Sequence, residues 1–415
     1  MTNSKNNPTS CCILGLGYIG LPTAAILAGS GFKVIGVDVD KHVIETVNKG
    51  LVHIAEPGLA QVVKNVVSSS WLTAQSSPEQ ADIYVIAVPT PFYSNSDRIP
   101  RPNIEFVLTA AKSICSYLRP GNLIVLESTS PVGTTDLLAQ LILEQSGLSD
   151  DELHIAYCPE RVLPGRILHE LVYNDRVVGG RTPAATSKAA SFYSRFCKGK
   201  IMSTSARTAE LVKLTENSFR DINIAFANEL SILCDRFGVS DRELISLANH
   251  HPRVNILQPG CGVGGHCIAV DPWFLASALP DCTPLIQAAR NVNDYKPQWV
   301  TDKISKKVLS LSNDLGRPAK VGCLGLSFKP DVDDLRESPA VSIVLSLMSQ
   351  GYDVIACEPN ITKHPFIHLR DLDFLIASSD LIVILVAHGV FEDLDLSLLN
   401  YIDFCGATQR LTVST

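Results

Sequence analysis

Cys11-Cys-Ile-Leu-Gly15-Leu-Gly17-Tyr18-Ile19-Gly20-Leu-Pro-Thr, followed by Lys33-Val-Ile-Gly-Val-Asp38, decides the fold. The apolar run Cys11 to Leu16 reads as a buried strand, the small residues from Pro22 to Ser30 as a helix, and Lys33 to Val37 as a second strand. Gly15 suits a tight strand-to-helix turn, Gly17 close approach of a pyrophosphate, and Gly20 close packing of helix on strand. Asp38 closes the second strand, where an acidic side chain can accept hydrogen bonds from an adenosine ribose. Together these features predict a dinucleotide site in a parallel α/β sheet.

The same stretch must first survive a membrane reading. Asn6 to Phe32 carries no charge and is long enough to span a bilayer. Its glycines, its prolines and the lack of a basic segment before it argue against a signal peptide or anchor. The chain of 415 residues is 46% hydrophobic with a net charge of -7, so it holds cores for two or three domains and no basic face for nucleic acid. Twelve cysteines without a CxxC pair suit a reducing, cytoplasmic setting better than a disulfide framework.

Further strands are expected at Ile83 to Val88, leading into Thr90, and at Leu123 to Glu127, leading into Ser128-Thr129-Ser130-Pro131. Such hydroxyl- and proline-rich loops at the carboxyl ends of parallel strands are where doubly wound sheets bind ligands. From Arg207 to Phe237 the chain has no proline or glycine and reads as one long helix. Its stripe of Leu211, Ile222, Phe226, Leu230, Leu233 and Phe237 fits either intrachain core or a subunit contact. Lys213, Asn217, Arg220 and Asn228 fall on the opposite side, and the i, i+4 pair Lys213 and Asn217 can address one bound group.

Beyond Ser310 the pattern repeats. Gly31 to Asp38 is echoed by Gly351-Tyr-Asp-Val-Ile-Ala-Cys-Glu358, and Ala81 to Val88 by Ser379-Asp-Leu-Ile-Val-Ile-Leu-Val386. The second unit opens with Val321-Gly-Cys-Leu-Gly325-Leu-Ser327-Phe328-Lys329, which lacks the full glycine triad, so a single nucleotide is the economical expectation. The fold class is therefore α/β: two Rossmann-like, doubly wound domains joined by a long central helix and a helical dimerisation region. The expected division is 1–206, 207–310 and 311–415.

The densest unusual segment lies in the middle span, from His250 to Pro272. Glycines 260, 262, 264 and 265 free the backbone for close approach to a ligand, and Cys267 follows them with Asp271 one turn on. A thiol so placed can serve as a nucleophile. A metal held by Cys261, His266, Cys267 and His250 or His251 is the rival, but the spacing matches none of the common zinc patterns.

Five motifs, in order along the chain, resemble the UDP-glucose/GDP-mannose dehydrogenase family. They are Gly15-x-Gly17-Tyr18-Ile19-Gly20-Leu-Pro; Cys158-Pro-Glu160-Arg161; Lys213-Leu-Thr-Glu-Asn217-Ser-Phe-Arg220; Gly264-Gly-His-Cys267-Ile-Ala-Val-Asp271-Pro; and Phe328-Lys329 through Arg336-Glu-Ser-Pro. Within the family, His251-Pro-Arg253-Val-Asn-Ile and the Val270 before Asp271 resemble the branch acting on UDP-N-acetyl-D-mannosamine. UDP-glucose enzymes typically carry lysine at that valine position.

The resemblance implies oxidation of a sugar C6 alcohol to a carboxylate with two NAD+ in turn. It makes Cys267 the nucleophile, Lys213 and Asn217 the stabilisers of the developing oxyanion, and Asp271, Glu160 and Thr129 aids to water or proton movement. For the cofactor it implies Gly15, Gly17, Tyr18, Ile19, Gly20, Asp38, Thr90, Thr129 and Arg336. For the UDP-sugar it implies Arg161, Val162, Lys213, Asn217, Arg220, His251, Arg253, Gly264 and Lys329. It further implies a homodimer or higher homo-oligomer, with no metal, nucleic acid or membrane partner. The N-acetylglucosamine and N-acetylgalactosamine epimers stay open, as do a two-electron β-hydroxyacid dehydrogenase and a non-catalytic nucleotide sensor.

Overall fold

The structure, a computed structural model, describes residues 8–93, 99–265 and 267–408. Residues 1–7, 94–98 and 409–415 therefore lie outside the described residues, as does His266 of the metal alternative. The chain divides into two compact units, Met1–Thr215 and Glu216–Thr415.

The first unit is built on eight strands: β1 (Ser10–Leu14), β2 (Lys33–Val37), β3 (Leu72–Gln75), β4 (Ile83–Ile86), β5 (Leu123–Leu126), β6 (His154–Tyr157), β7 (Arg176–Gly180) and β8 (Ile201–Ser205). Their order is β3-β2-β1-β4-β5-β6-β7-β8, parallel throughout except where β7 runs antiparallel to β6. Alternation along each strand feeds two cores. Cys11, Ile13, Val85 and Val125 face one, and Cys12, Leu14, Ile86 and Leu126 the other. Period-two alternation sends neighbouring side chains to opposite faces, and helices on both faces explain why these strands read as unbroken apolar runs. The order reverses between β1 and β4, so their carboxyl-terminal loops part and leave a crevice.

The second unit holds β9 (Lys320–Leu324), β10 (Asp353–Cys357), β11 (Leu381–Ile384) and β12 (Tyr401–Asp403), all parallel in the order β10-β9-β11-β12. Thus β10-β9-β11 repeats β2-β1-β4. The sequence echo is an echo of topology.

The long helix spans Ala206–Phe237, and its apolar stripe is not intrachain core. Leu211, Phe226, Leu233 and Phe237 are exposed, Phe237 at 78%, while Ile222 and Leu230 are half-buried; Phe219, outside the expected stripe, is exposed at 68%. The opposite face is the buried one, because polar side chains pair there with the helix Pro284–Leu315. Arg290 donates to Asp221 at 2.7 Å, Asn293 donates to Asp221 Oδ1 at 2.8 Å, and Asn228 donates to Asn293 Oδ1 at 2.9 Å. Lys296 donates to Ser231 and lies 4.1 Å over the Trp299 ring. Directional bonds between buried polar groups tie the register of the two helices, although Asp221 Oδ2 and Arg290 Nε have no hydrogen-bond partner. Among the described residues no helix is long and apolar enough to cross a membrane.

Candidate active site

At the end of β1 the three glycines occupy distinct environments. Gly15 has φ +94°, and a Cβ there would lie 2.6 Å from the Ala87 carbonyl oxygen; a Cβ on Gly20 would run into the Gly15 carbonyl; Gly17 faces open space. The helix begins at Gly20, two residues before the expected Pro22. Asp38 is half-buried, accepting Leu16 N–H at 2.8 Å through Oδ2 and Asp40 N–H at 3.0 Å through Oδ1. The carboxylate is thus fixed at the strand end, beside the turn whose amides face a ligand. Tyr18 and Ile19 are half-buried on that turn. Thr90 donates to the Thr129 carbonyl at 2.6 Å and Ser128 to the Val88 carbonyl at 2.7 Å, so the β4 and β5 loops are tied together. These residues fit a dinucleotide: the open Gly17 is a cradle that a side chain would fill.

Glu160, named from the sequence, belongs to a cluster whose other members sequence reading missed. Glu160 is buried and paired to Arg176 at 3.3 Å, while its Oε1 accepts Arg161 N–H at 2.7 Å. Glu127, at the end of β5, is also buried, accepts the Tyr193 hydroxyl at 2.6 Å, and has no hydrogen-bond partner at Oε2. Burial, then the neighbouring Glu160, pushes the Glu127 carboxyl up to about 7, since one guanidinium serves two carboxylates. An acidic residue directly after an apolar strand was the available signal for Glu127. Nothing local marks Arg176. Arg161 also reaches the Asp175 carbonyl at 3.0 Å, and Val162 is half-buried beside it.

In the second unit Cys267 is exposed, unlike most of the other cysteines. Its carbonyl accepts Asp271 N–H at 2.8 Å, placing it one turn before the helix Asp271–Ala278, at the end that favours negative charge. Asp271 is buried and accepts a hydrogen bond from the Asn217 side-chain amide. Lys213, half-buried, lies one helical turn before Asn217. Arg220 is exposed, as are His251 and Arg253, whose loop is closed by two bonds between Asn249 and Ile256 at 3.0 and 2.7 Å.

Of the glycines for which sequence reading expected close approach to a ligand, 262, 264 and 265 approach the protein itself and Gly260 has nothing within 4 Å. A Cβ at Gly264 would lie 2.5 Å from the Glu337 carbonyl oxygen and 2.8 Å from Phe328 Cβ, and one at Gly265 2.9 Å from the Phe328 ring. Gly265 N–H also donates to the Arg336 carbonyl at 3.1 Å. Gly264, Cys267, Phe328, Lys329 and Arg336 therefore belong to two loops packed on each other. Arg336 is exposed and paired with Asp334 at 2.6 Å.

Against this geometry, three family profiles match in order: the UDP-glucose/GDP-mannose dehydrogenase NAD binding domain at residues 9–197, the central domain at 207–295 and the UDP binding domain at 322–402. The chain belongs to the UDP-glucose/GDP-mannose dehydrogenase family. This dehydrogenase is 49% identical to the UDP-N-acetyl-D-mannosamine dehydrogenase of Campylobacter jejuni, over 96% of this chain and 100% of that protein. It is 48% identical to the NDP-N-acetyl-D-galactosaminuronic acid dehydrogenase of Ralstonia nicotianae, over 92% of each. Among solved structures, the UDP-D-ManNAc dehydrogenase of Pyrococcus horikoshii superposes with a TM-score of 0.88 at 35% identity, covering 98% of this chain and 97% of that one. The α/β architecture expected of the dehydrogenase is the one observed, and its amino-terminal domain is the family's NAD-binding domain.

Proposed function

We propose that this dehydrogenase oxidises the C6 alcohol of UDP-N-acetyl-D-mannosamine to the carboxylate, with Cys267 as nucleophile. The observation that carries the reading is the exposed Cys267 at a helix N-terminus, one turn from an Asp271 held by Asn217. NAD+, held by the Gly15, Gly17 and Gly20 turn with Tyr18, Ile19, Asp38, Thr90, Thr129 and Arg336, supplies the chemistry of accepting a hydride at each of two oxidations. Cys267 Sγ bonds to C6 of the aldehyde as a thiohemiacetal. After the second oxidation the same bond is a thioester, which water cleaves to release the carboxylate and return the thiol.

Lys213 takes the proton of the C6 hydroxyl, and its ammonium with the Asn217 amide stabilises oxygen-centred negative charge. Asp271, Glu160 and Thr129 orient water and pass protons. Arg161, Val162, Arg220, His251, Arg253, Gly264 and Lys329 hold the UDP-sugar, the cations through charge-assisted bonds to the diphosphate. Domains of 1–206, 207–310 and 311–415 divide these tasks.

The exposed stripe from Leu211 to Phe237 supports a homodimer, because apolar rings of this size on an outward helix face call for a partner surface. A cytoplasmic setting accords with twelve free thiols. The galacto epimer is the second reading, favoured by the 48% identity to the Ralstonia protein, close to the 49% to the Campylobacter jejuni one. Counting NADH formed per sugar consumed, with the manno, gluco and galacto epimers side by side, tests both. Two NADH per sugar with the manno epimer preferred is expected; one would leave a simple alcohol dehydrogenase.

A further inference from the structure

The carboxyl ends of β9 and β10 repeat those of β1 and β2 bond for bond. Gly15 N–H donates to the Val37 carbonyl at 2.8 Å and Gly325 N–H to the Cys357 carbonyl at 2.9 Å. Leu326 N–H donates to Glu358 Oε2 at 2.7 Å and Asn360 N–H to Oε1 at 3.1 Å, as Leu16 and Asp40 do to Asp38. Glu358 is thus the structural counterpart of Asp38 in the first unit.

Past that point the units diverge. Where Gly17 is exposed, its counterpart Ser327 is buried and turns its N–H inward to Glu358 Oε2 at 2.9 Å. Against the same oxygen lies His388 Nε2 at 3.2 Å. His388 is fully buried, and it follows the end of β11 by as many residues as Thr90 follows the end of β4. An imidazole therefore fills the place at the switch point that the first unit leaves to a dinucleotide.

The other ring nitrogen acts on the nucleotide loop. Nδ1 accepts Asp331 N–H at 3.0 Å, and Gly389 N–H donates to Asp331 Oδ1 at 3.1 Å. Asp331 has φ +58°, a conformation an L side chain rarely adopts and one that needs such anchors. Ser327 Oγ donates to the Lys329 carbonyl at 2.7 Å and stands 3.3 Å from His388 Nε2. The backbone of Lys329 is thus held on both sides by groups that His388 touches.

We propose that His388 is a positioning residue that, through Glu358, Ser327 and the Asp331 amide, sets the Lys329 loop for a nucleoside diphosphate and closes this unit to a second dinucleotide. The inference rests on the reading that this unit holds the UDP moiety. The histidine touches no substrate. It keeps the cation-bearing loop in its binding conformation before ligand arrives, which lowers the ordering cost of binding.

Calorimetric titration of the full-length protein with UDP and, separately, NAD+ tests this. Wild type is expected to bind one NAD+ and one UDP per chain. His388→Ala leaves the Asp331 N–H without its acceptor and takes a donor from the buried Glu358, and is expected to weaken UDP by about tenfold, raise KM for the UDP-sugar in step, and leave NAD+ affinity and kcat unchanged. His388→Asn, whose Oδ1 can still accept Asp331 N–H, is expected to recover most of the affinity, and His388→Gln, which reaches the Nε2 position, to recover less. Should the alanine protein not fold, the Asn and Gln pair decides the matter. Undiminished UDP binding by folded His388→Ala, Asn no better than Gln, or two NAD+ per wild-type chain each overturns the inference alone. Failure of wild type to bind UDP overturns the functional reading and this inference with it.

Discussion

Tyr193 donates its phenolic hydroxyl to Glu127 Oε1 at 2.6 Å in a site where both side chains are buried. The single nearby guanidinium, Arg176, is already paired with Glu160. Glu127 therefore keeps a proton further up the pH scale than an exposed glutamate, at about 7. Because its folded pKa is raised, its contribution to stability is present at low pH and is lost as pH rises through about 7. Glu127→Gln mimics the protonated form. Thermal denaturation at pH 4.5 and pH 8 should show wild type losing up to about 3 kcal/mol relative to the variant, nearly all of it below pH 7; parallel behaviour of the two would show that Glu127 does not titrate there.

Cys267→Ser is expected to bind NAD+ and UDP-sugar normally and to stall before the second oxidation. Single-turnover spectrophotometry should yield at most one NADH per sugar, with kcat down at least about a thousandfold. Two NADH per sugar from that variant would remove Cys267 from the mechanism.

Asn217→Ala takes a hydrogen-bond donor from the buried Asp271 and, on the proposed mechanism, from the developing oxyanion. A loss of about a hundredfold in kcat with little change in KM is expected. A rise in KM alone would place Asn217 in ground-state binding.

Asp221→Ala takes from the buried Arg290 the buried carboxylate that it meets at 2.7 Å and leaves it only the half-exposed Asp294. Breaking a buried pair from one side costs about 3–5 kcal/mol, so urea denaturation should move sharply. The double variant Asp221→Leu/Arg290→Met should recover much of that loss, since it removes both charges.

Phe226→Asp puts a charge on the exposed apolar stripe of the long helix. Sedimentation at micromolar concentration should show dimer for wild type and monomer for the variant, with melting of the isolated chain little affected. A wild-type monomer would mean that the stripe has another partner.

How far the sequence could be read follows from the range of the interactions involved. Period-two apolar runs, a glycine forced to φ +94° at Gly15 and an acid at a strand end are consequences of local geometry. For that reason β1, the first helix, β2 and their echo at β9, β10 and β11 could be placed without coordinates, and Asp38 with its turn marked the nucleotide end. The long helix was legible in extent, and which of its faces turns inward was not: a buried ladder from Asp221 to Ser231 outweighs its apolar stripe, against the usual sense of burial.

The glycines before Cys267 show the same limit, since sequence says that backbone must come close and not to what. Phe328 supplies that answer from a different segment of the same unit. Pairings such as Glu160 with Arg176, Glu127 with Tyr193 and Glu358 with His388 join residues that share no local pattern. The sequence by itself determined the elements, their repeat and the reactive residue types, because those depend on neighbours along the chain. Only the tertiary structure decided which charges are buried together and which loops brace the site, because desolvation and strain depend on neighbours in space.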